Sequence, residues 1–145
     1  MKGNKGEQGE TSAYRVDKKK LRAVAQKYKL DLIVAFGSQV KGRAIAGRSD
    51  LDVAVRLAPD AKRGGRVLSL HSALAQALQA DCELDVSILN GAPPLLLYEV
   101  AIDGVPLYER TRTTFLRFWS YAMRRYYDNH KFFLLCRQYL RERYA

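Results

Sequence analysis

Ser49-Asp50-Leu51-Asp52-Val53-Ala54-Val55-Arg56-Leu57 is the stretch on which the fold turns. From Leu51 to Leu57 the side chains alternate with period two, the signature of a strand, and Asp52 faces opposite to Leu51 and Val53. Asp50 and Asp52 sit two residues apart, so both carboxylates project to one face. Adjacent carboxylates repel, and each holds its proton more tightly unless a cation lies between them. Hard oxygen donors on a rigid face suit Mg²⁺, which keeps waters and takes its remaining ligands from substrate phosphates.

Upstream, Asp31 to Phe36 is a short run rich in branched apolar residues and reads as a buried strand. It ends in Phe36-Gly37-Ser38-Gln39-Val40-Lys41-Gly42. Glycine lets the backbone approach a phosphate closely, and successive N–H groups with a serine hydroxyl hold its oxygens. Lys41, Arg43 and Arg48 add positive potential to the same loop. Downstream, Glu83 to Leu89 reads as a third strand, with Leu84, Val86 and Ile88 on one face and Asp85 and Ser87 on the other. Asp85 would complete a three-carboxylate set. A lone Gly-Ser pair is usually a turn, and two aspartates on a strand usually face solvent. The combination carries the reading: a phosphate cradle, then paired carboxylates opening the next strand, then a third Asp on a later one. That arrangement serves nucleotidyl transfer, in which metal ions neutralise charge at phosphorus and stabilise the pyrophosphate leaving group.

The rest of the chain fills in around this centre. Tyr14 to Lys29 is expected to be helical, with Leu21, Val24, Ala25 and Tyr28 on one side. Pro59 to Gly65 reads as a turn, and Arg66 to Ala80 as a helix carrying Val67, Leu70, Leu74, Ala77 and Leu78 inward. Pro93 and Pro94 suit the first turn of a further helix, which runs to about Ile102 and stops at Gly104. Val105 to Tyr108 reads as an edge strand, because Pro106 lacks the donor a central strand needs.

Thr111 to Arg143 differs in kind. Phe115, Phe118, Trp119, Ala122, Tyr126, Phe133, Cys136 and Leu140 make a continuous helical stripe with no proline or glycine. Between Arg110 and Ala145 there are nine Lys/Arg and two acids. Such a helix would be about 50 Å long, more than a small domain spans, so it either bends or projects. Aromatic residues at this spacing favour packing plus a partner surface over RNA, although the basic helix leaves an RNA contact open. The expected architecture is α/β: a small mixed sheet with helices packed on one side, plus the long C-terminal helix. Residues 1–13 read as a disordered tail, 14–109 as the catalytic domain, and 110–145 as the basic aromatic helix packed on it.

The chain has 145 residues, enough for one core, and a formal net charge of +10, which attracts polyanions such as nucleotides, nucleic acid or an acidic protein. No stretch approaches a membrane span of roughly 20 apolar residues. Cys82 and Cys136 leave a disulfide open. The preferred reading is two separate thiols in a reducing cytosol, hence a cytoplasmic protein.

"GSQVKG" with "SDLDVAV" and then "ELDVSIL" resembles the DNA polymerase β-type nucleotidyltransferase superfamily, and the short chain resembles its minimal nucleotidyltransferases (MNT proteins). The segment "PPLLLYEVAIDGVPLYER" and the terminal helix are similar to that family too. The resemblance implies that Gly37 and Ser38, with Ser49, bind the nucleotide of ATP. It implies that Asp50 and Asp52 bind two Mg²⁺ ions, and that Asp85 binds the catalytic ion and helps deprotonate the attacking hydroxyl. It further implies an antitoxin that transfers AMP to a tyrosine of a HEPN ribonuclease toxin. The alternatives are neutralisation by contact alone, or transfer to a small molecule or RNA. Arg125 and His130 have a spacing found in HEPN ribonucleases, but no helical bundle remains to house such a site, and they read as an ordinary basic helix. His71 reads as packed or half exposed rather than catalytic.

Overall fold

A computed structural model describes residues 14–38, 40, 50–61 and 67–144. The tail 1–13, the basic loop with Lys41, Arg43, Arg48 and Ser49, and Arg66 lie outside the described residues.

Helix α1 (Lys18–Lys27) begins later than the apolar spacing alone suggests, because Asp17 caps it. The Asp17 carboxylate accepts from the backbone N–H of Lys19 and Lys20, both at 3.1 Å. Residues 14–17 instead run extended, and the N–H groups of Arg15 and Asp17 donate to the carbonyls of Leu78 and Ala77. Strands β1 (Leu30–Phe36) and β2 (Leu51–Leu57) follow, then helix α2 (Val67–Ala77), strand β3 (Leu84–Ile88), helix α3 (Pro94–Asp103), strand β4 (Val105–Glu109) and helix α4 (Thr114–Tyr144).

The four strands form one mixed sheet in the order β3-β2-β1-β4. β1 is antiparallel to both β2 and β4, whereas β2 and β3 are parallel and joined through α2. β4 lies at an edge, where proline is tolerated, and its register with β1 shifts between Ile33 and Val34, beside Pro106.

The mixed sheet and long helix agree with the sequence reading, but the helices cover both faces rather than one. Ile33, Leu51, Val53 and Val55 pack with Leu21 and Val24 of α1 and Leu70 and Leu74 of α2. Leu32, Val34, Phe36 and Ala54 pack with Leu97 and Val100 of α3 and Phe118 and Ala122 of α4. Every residue of β1 except Asp31 is buried, as required of a strand sandwiched between two helical layers.

Gly104 ends α3, as the sequence suggests, and packing demands the residue there. Its φ is −74°, extended backbone, and a Cβ there would collide with the Val100 carbonyl and the Val34 side chain. Close packing of α3 on β1 thus demands the glycine.

At the end of the sheet remote from Asp52, Arg56 grips Asp31 through two parallel bonds of 2.9 and 3.1 Å. Asn90 clamps the Leu57 backbone, accepting from its N–H at 2.8 Å and donating to its carbonyl at 3.0 Å. These ties hold β1, β2 and the segment after β3 in register.

α4 is a single helix of 31 residues, about 46 Å long at 1.5 Å per residue. Its buried residues are Thr114, Phe118 and Ala122. Beyond the stack of Tyr126 on Tyr98, with ring centroids 4.0 Å apart, it leaves the domain. Of the two outcomes its length allowed, the helix projects and does not break. Cys82 and Cys136 are free thiols, both half-buried, and no disulfide joins them. Among the described residues no helix is long and apolar enough to cross a membrane.

Candidate active site

Parallel pairing of β2 with β3 sets the site. The Leu51 N–H donates to the Glu83 carbonyl at 2.8 Å, and the register that follows makes Asp52 and Asp85 direct neighbours across the two strands. Their side chains leave the sheet on the face opposite Leu51, Val53 and Leu84, which α1 and α2 cover. A slip of one residue would send Asp85 to the other face. Asp52 is half-buried, while Asp85 and Asp50, the latter just before β2, are exposed.

Asp52 also lies opposite Phe36, the last residue of β1. Gly37 follows with φ +81°, and a Cβ on it would run into the Asp52 carboxylate. Only glycine satisfies both the left-handed backbone and this close approach. Ser38 continues the turn half-buried. The structure therefore brings Gly37, Ser38, Asp50, Asp52 and Asp85 to one end of the sheet. Ser49, counted with the nucleotide-binding residues, lies outside the described residues.

The electrostatics of this end are unfavourable by themselves. Burial, then the Asp85 charge, then the Asp50 charge hold the Asp52 carboxyl above the ordinary carboxylate range. A divalent cation among these oxygens would reverse the penalty, and hard carboxylates are its ordinary ligands. Among the described residues no three His, Cys, Asp or Glu side chains converge tightly enough to enclose an ion unaided. The charges of Asp85 and Asp50 nevertheless both reach the Asp52 carboxyl. An open arrangement fits Mg²⁺, which takes few protein ligands and completes its shell with water and phosphate oxygens.

His71 was not singled out as useful in the sequence, and the structure gives it a task. From α2 its Nε2 lies 2.6 Å from the Leu84 carbonyl and donates to it. In a parallel ladder where Glu83 turns its carbonyl to β2, the Leu84 carbonyl points away from β2, toward the open edge. His71 thus satisfies the peptide group that directly precedes Asp85. No sequence periodicity signals such a bond, since it depends on how α2 lies along the sheet edge. Arg125 and His130 are both exposed on α4, and His130 stacks on Tyr126 one turn away.

In structure the chain is similar to a toxin–antitoxin complex with AMP-PNP, at 26% identity and TM-score 0.62, covering 88% of this chain and 97% of that one. It is also similar to a chain of the complex of a tri-AMPylated Shewanella oneidensis HEPN toxin with its MNT antitoxin, at 25% identity and TM-score 0.56, covering 86% and 92%. No curated protein matches the sequence. The family described as polymerase beta, nucleotidyltransferase matches residues 19–113, spanning all four strands and both carboxylate-bearing segments. The chain belongs to the polymerase β nucleotidyltransferase family.

Proposed function

We propose that this chain is an antitoxin of the minimal nucleotidyltransferase type, transferring AMP from ATP to a tyrosine hydroxyl of a HEPN-type ribonuclease and so silencing it. The observation that carries the reading is the pairing of Asp52 with Asp85 beneath a glycine whose missing side chain leaves room for the Asp52 carboxylate. The structural likeness to toxin–antitoxin complexes, one with AMP-PNP and one with an AMP-bearing toxin, supports the choice of donor and acceptor.

In this reading the Gly37-Ser38 turn receives the triphosphate through backbone N–H groups and the serine hydroxyl, and Ser49 joins them. Asp50, Asp52 and Asp85 would hold two Mg²⁺ ions, which supply charge neutralisation at the α-phosphoryl group and at departing pyrophosphate. The tyrosine oxygen attacks the α-phosphorus, the bond to the β-phosphate bridging oxygen breaks, and the phenolic proton passes to Asp85. Asp85 suits that role because it is exposed on an edge strand, where an incoming side chain reaches it. The site would work in the cytoplasm, where ATP and the partner's RNA substrates are found.

The test is mass spectrometry of the HEPN-type protein encoded beside this chain's gene, after incubation with the chain and Mg-ATP. AMP-bearing tyrosine is expected, and its loss in an Asp50→Asn, Asp52→Asn variant. An unmodified partner that is nonetheless neutralised would replace this reading with contact alone. The unpartnered half of α4 favours that second reading specifically, because it offers a contact surface independent of the carboxylates.

A further inference from the structure

The distal half of α4 is at odds with a helix that merely continues the core. Lys131-Phe132-Phe133-Leu134-Leu135-Cys136 places five consecutive apolar residues after the lysine. At about 100° per residue these five point in every direction round the helix. Phe132, Phe133, Leu134 and Leu135 are between 47% and 67% exposed, and Tyr139, Leu140 and Tyr144 continue the exposed surface. Two adjoining shallow troughs run along the same segment, one lined by Phe133, Cys136 and Leu140 with Arg137 and Arg141, the other by Leu135 and Tyr139 with the same Cys136 and Leu140. An amphipathic helix docks by one stripe, whereas one that is apolar all round is stable only when enclosed.

The charges point the same way. From Arg124 onward the helix carries Arg124, Arg125, Lys131, Arg137, Arg141 and Arg143 against Asp128 and Glu142. The apolar band is therefore bracketed by cations before and after it. A complementary surface is apolar at its floor and walls and carries carboxylates at its rim.

We propose that the half of α4 beyond Tyr127 is an insertion arm: it lies lengthwise in an apolar, acid-rimmed groove of a partner protein that encloses it on more than one side. Identifying that partner with the HEPN-type protein rests on the function proposed above; the mode of docking does not. The arm tethers the partner through a surface separate from the carboxylates, leaving the Gly37–Asp52 end of the sheet free to work on it.

Two double variants of the full chain separate enclosure from one-sided docking. Phe133→Gln with Leu140→Gln alters the side that continues the core stripe, and Leu134→Gln with Leu135→Gln alters the remainder. All four residues are exposed, and glutamine is a good helix former, so folding is preserved and circular dichroism verifies it. Affinity for the HEPN-type protein encoded beside the gene is measured by calorimetry at low and high salt. Each double variant is expected to lose about tenfold or more, and wild-type affinity is expected to fall with salt. Loss from the first pair alone, or from neither, overturns the proposal. So does sedimentation of the isolated chain as a dimer that these changes disrupt, since the occupant is then a second copy. So does a loss confined to single-stranded RNA, or no complex between the two full chains. The Asp50→Asn, Asp52→Asn variant keeps its arm and is expected to retain the complex, so failure of the catalytic reading is distinguishable from failure of docking.

Discussion

Replacing Asp52 with asparagine should make the metal-free protein more stable, an unusual result for a half-buried polar residue. Asp52 carries an ionisation penalty from burial, from Asp85 and from Asp50, in that order. Its carboxyl is held above its unfolded value, so its contribution to stability is present while it is protonated and is lost as pH rises through the folded pKa. Where it is ionised, the group therefore strains the fold. Carboxylates on paired strands lie about 6 Å apart when splayed, which corresponds to about 0.7 kcal/mol of repulsion in water and about 2.8 kcal/mol at an effective dielectric of 20. Exposure of Asp85 and Asp50 pulls the value toward the lower figure, so about 1 kcal/mol is a fair expectation. For a chain of 145 residues this raises Tm by about 3–5 °C. Thermal unfolding followed by circular dichroism at pH 7.5 measures it. The gain should vanish as pH falls through the range where Asp52 protonates. Mg²⁺ should stabilise the wild type and leave Asp52→Asn nearly unmoved. A variant that melts lower than wild type at pH 7.5, together with a wild type indifferent to Mg²⁺, would refute the argument.

Two further substitutions probe the supports of the site. Gly37→Ala combines a strained φ of +81° with a methyl group driven into the Asp52 carboxylate, so it should cost about 2 kcal/mol or more and weaken Mg-ATP binding at least about tenfold, read by calorimetry. His71→Leu leaves the Leu84 carbonyl without its partner at the strand edge and should lower turnover while the KM for ATP stays near its wild-type value; His71→Gln, which keeps a donor, should restore it. Equal losses in both His71 variants would show that the ring only fills space.

Much of the sheet is legible along the chain. Leu51–Leu57 alternates cleanly, because β2 takes one set of side chains to α1 and α2 and the other to the site and to α3. Pro106 marked β4 as an edge. The two-sided covering of the sheet was visible only indirectly: the unbroken run Leu32 to Phe36 is what a strand buried on both faces looks like, yet periodicity does not say which helices cover which face. The beginning of α1 was misplaced because apolar spacing continues through Tyr14, whereas the Asp17 cap and the bonds of Arg15 and Asp17 to the end of α2 hold residues 14–17 extended. Gly104 stops α3 where the sequence places it, whereas its packing against Val34 is a long-range fact.

Residue order alone singled out the carboxylates of the candidate site: Asp50 and Asp52 share a face because a strand repeats every two residues, and Asp85 is kept off the apolar side of its own strand by the same period. Tertiary structure decided what those groups meet. Strand register makes Asp52 and Asp85 neighbours, the turn at Gly37 closes over Asp52, and His71 reaches the edge carbonyl beside Asp85. It also decided that α4 ends as a free arm, because the sheet is too short to cover about 46 Å of helix. Local pattern depends on neighbours along the chain, whereas contact between remote segments is set by how whole layers pack, which no local period records.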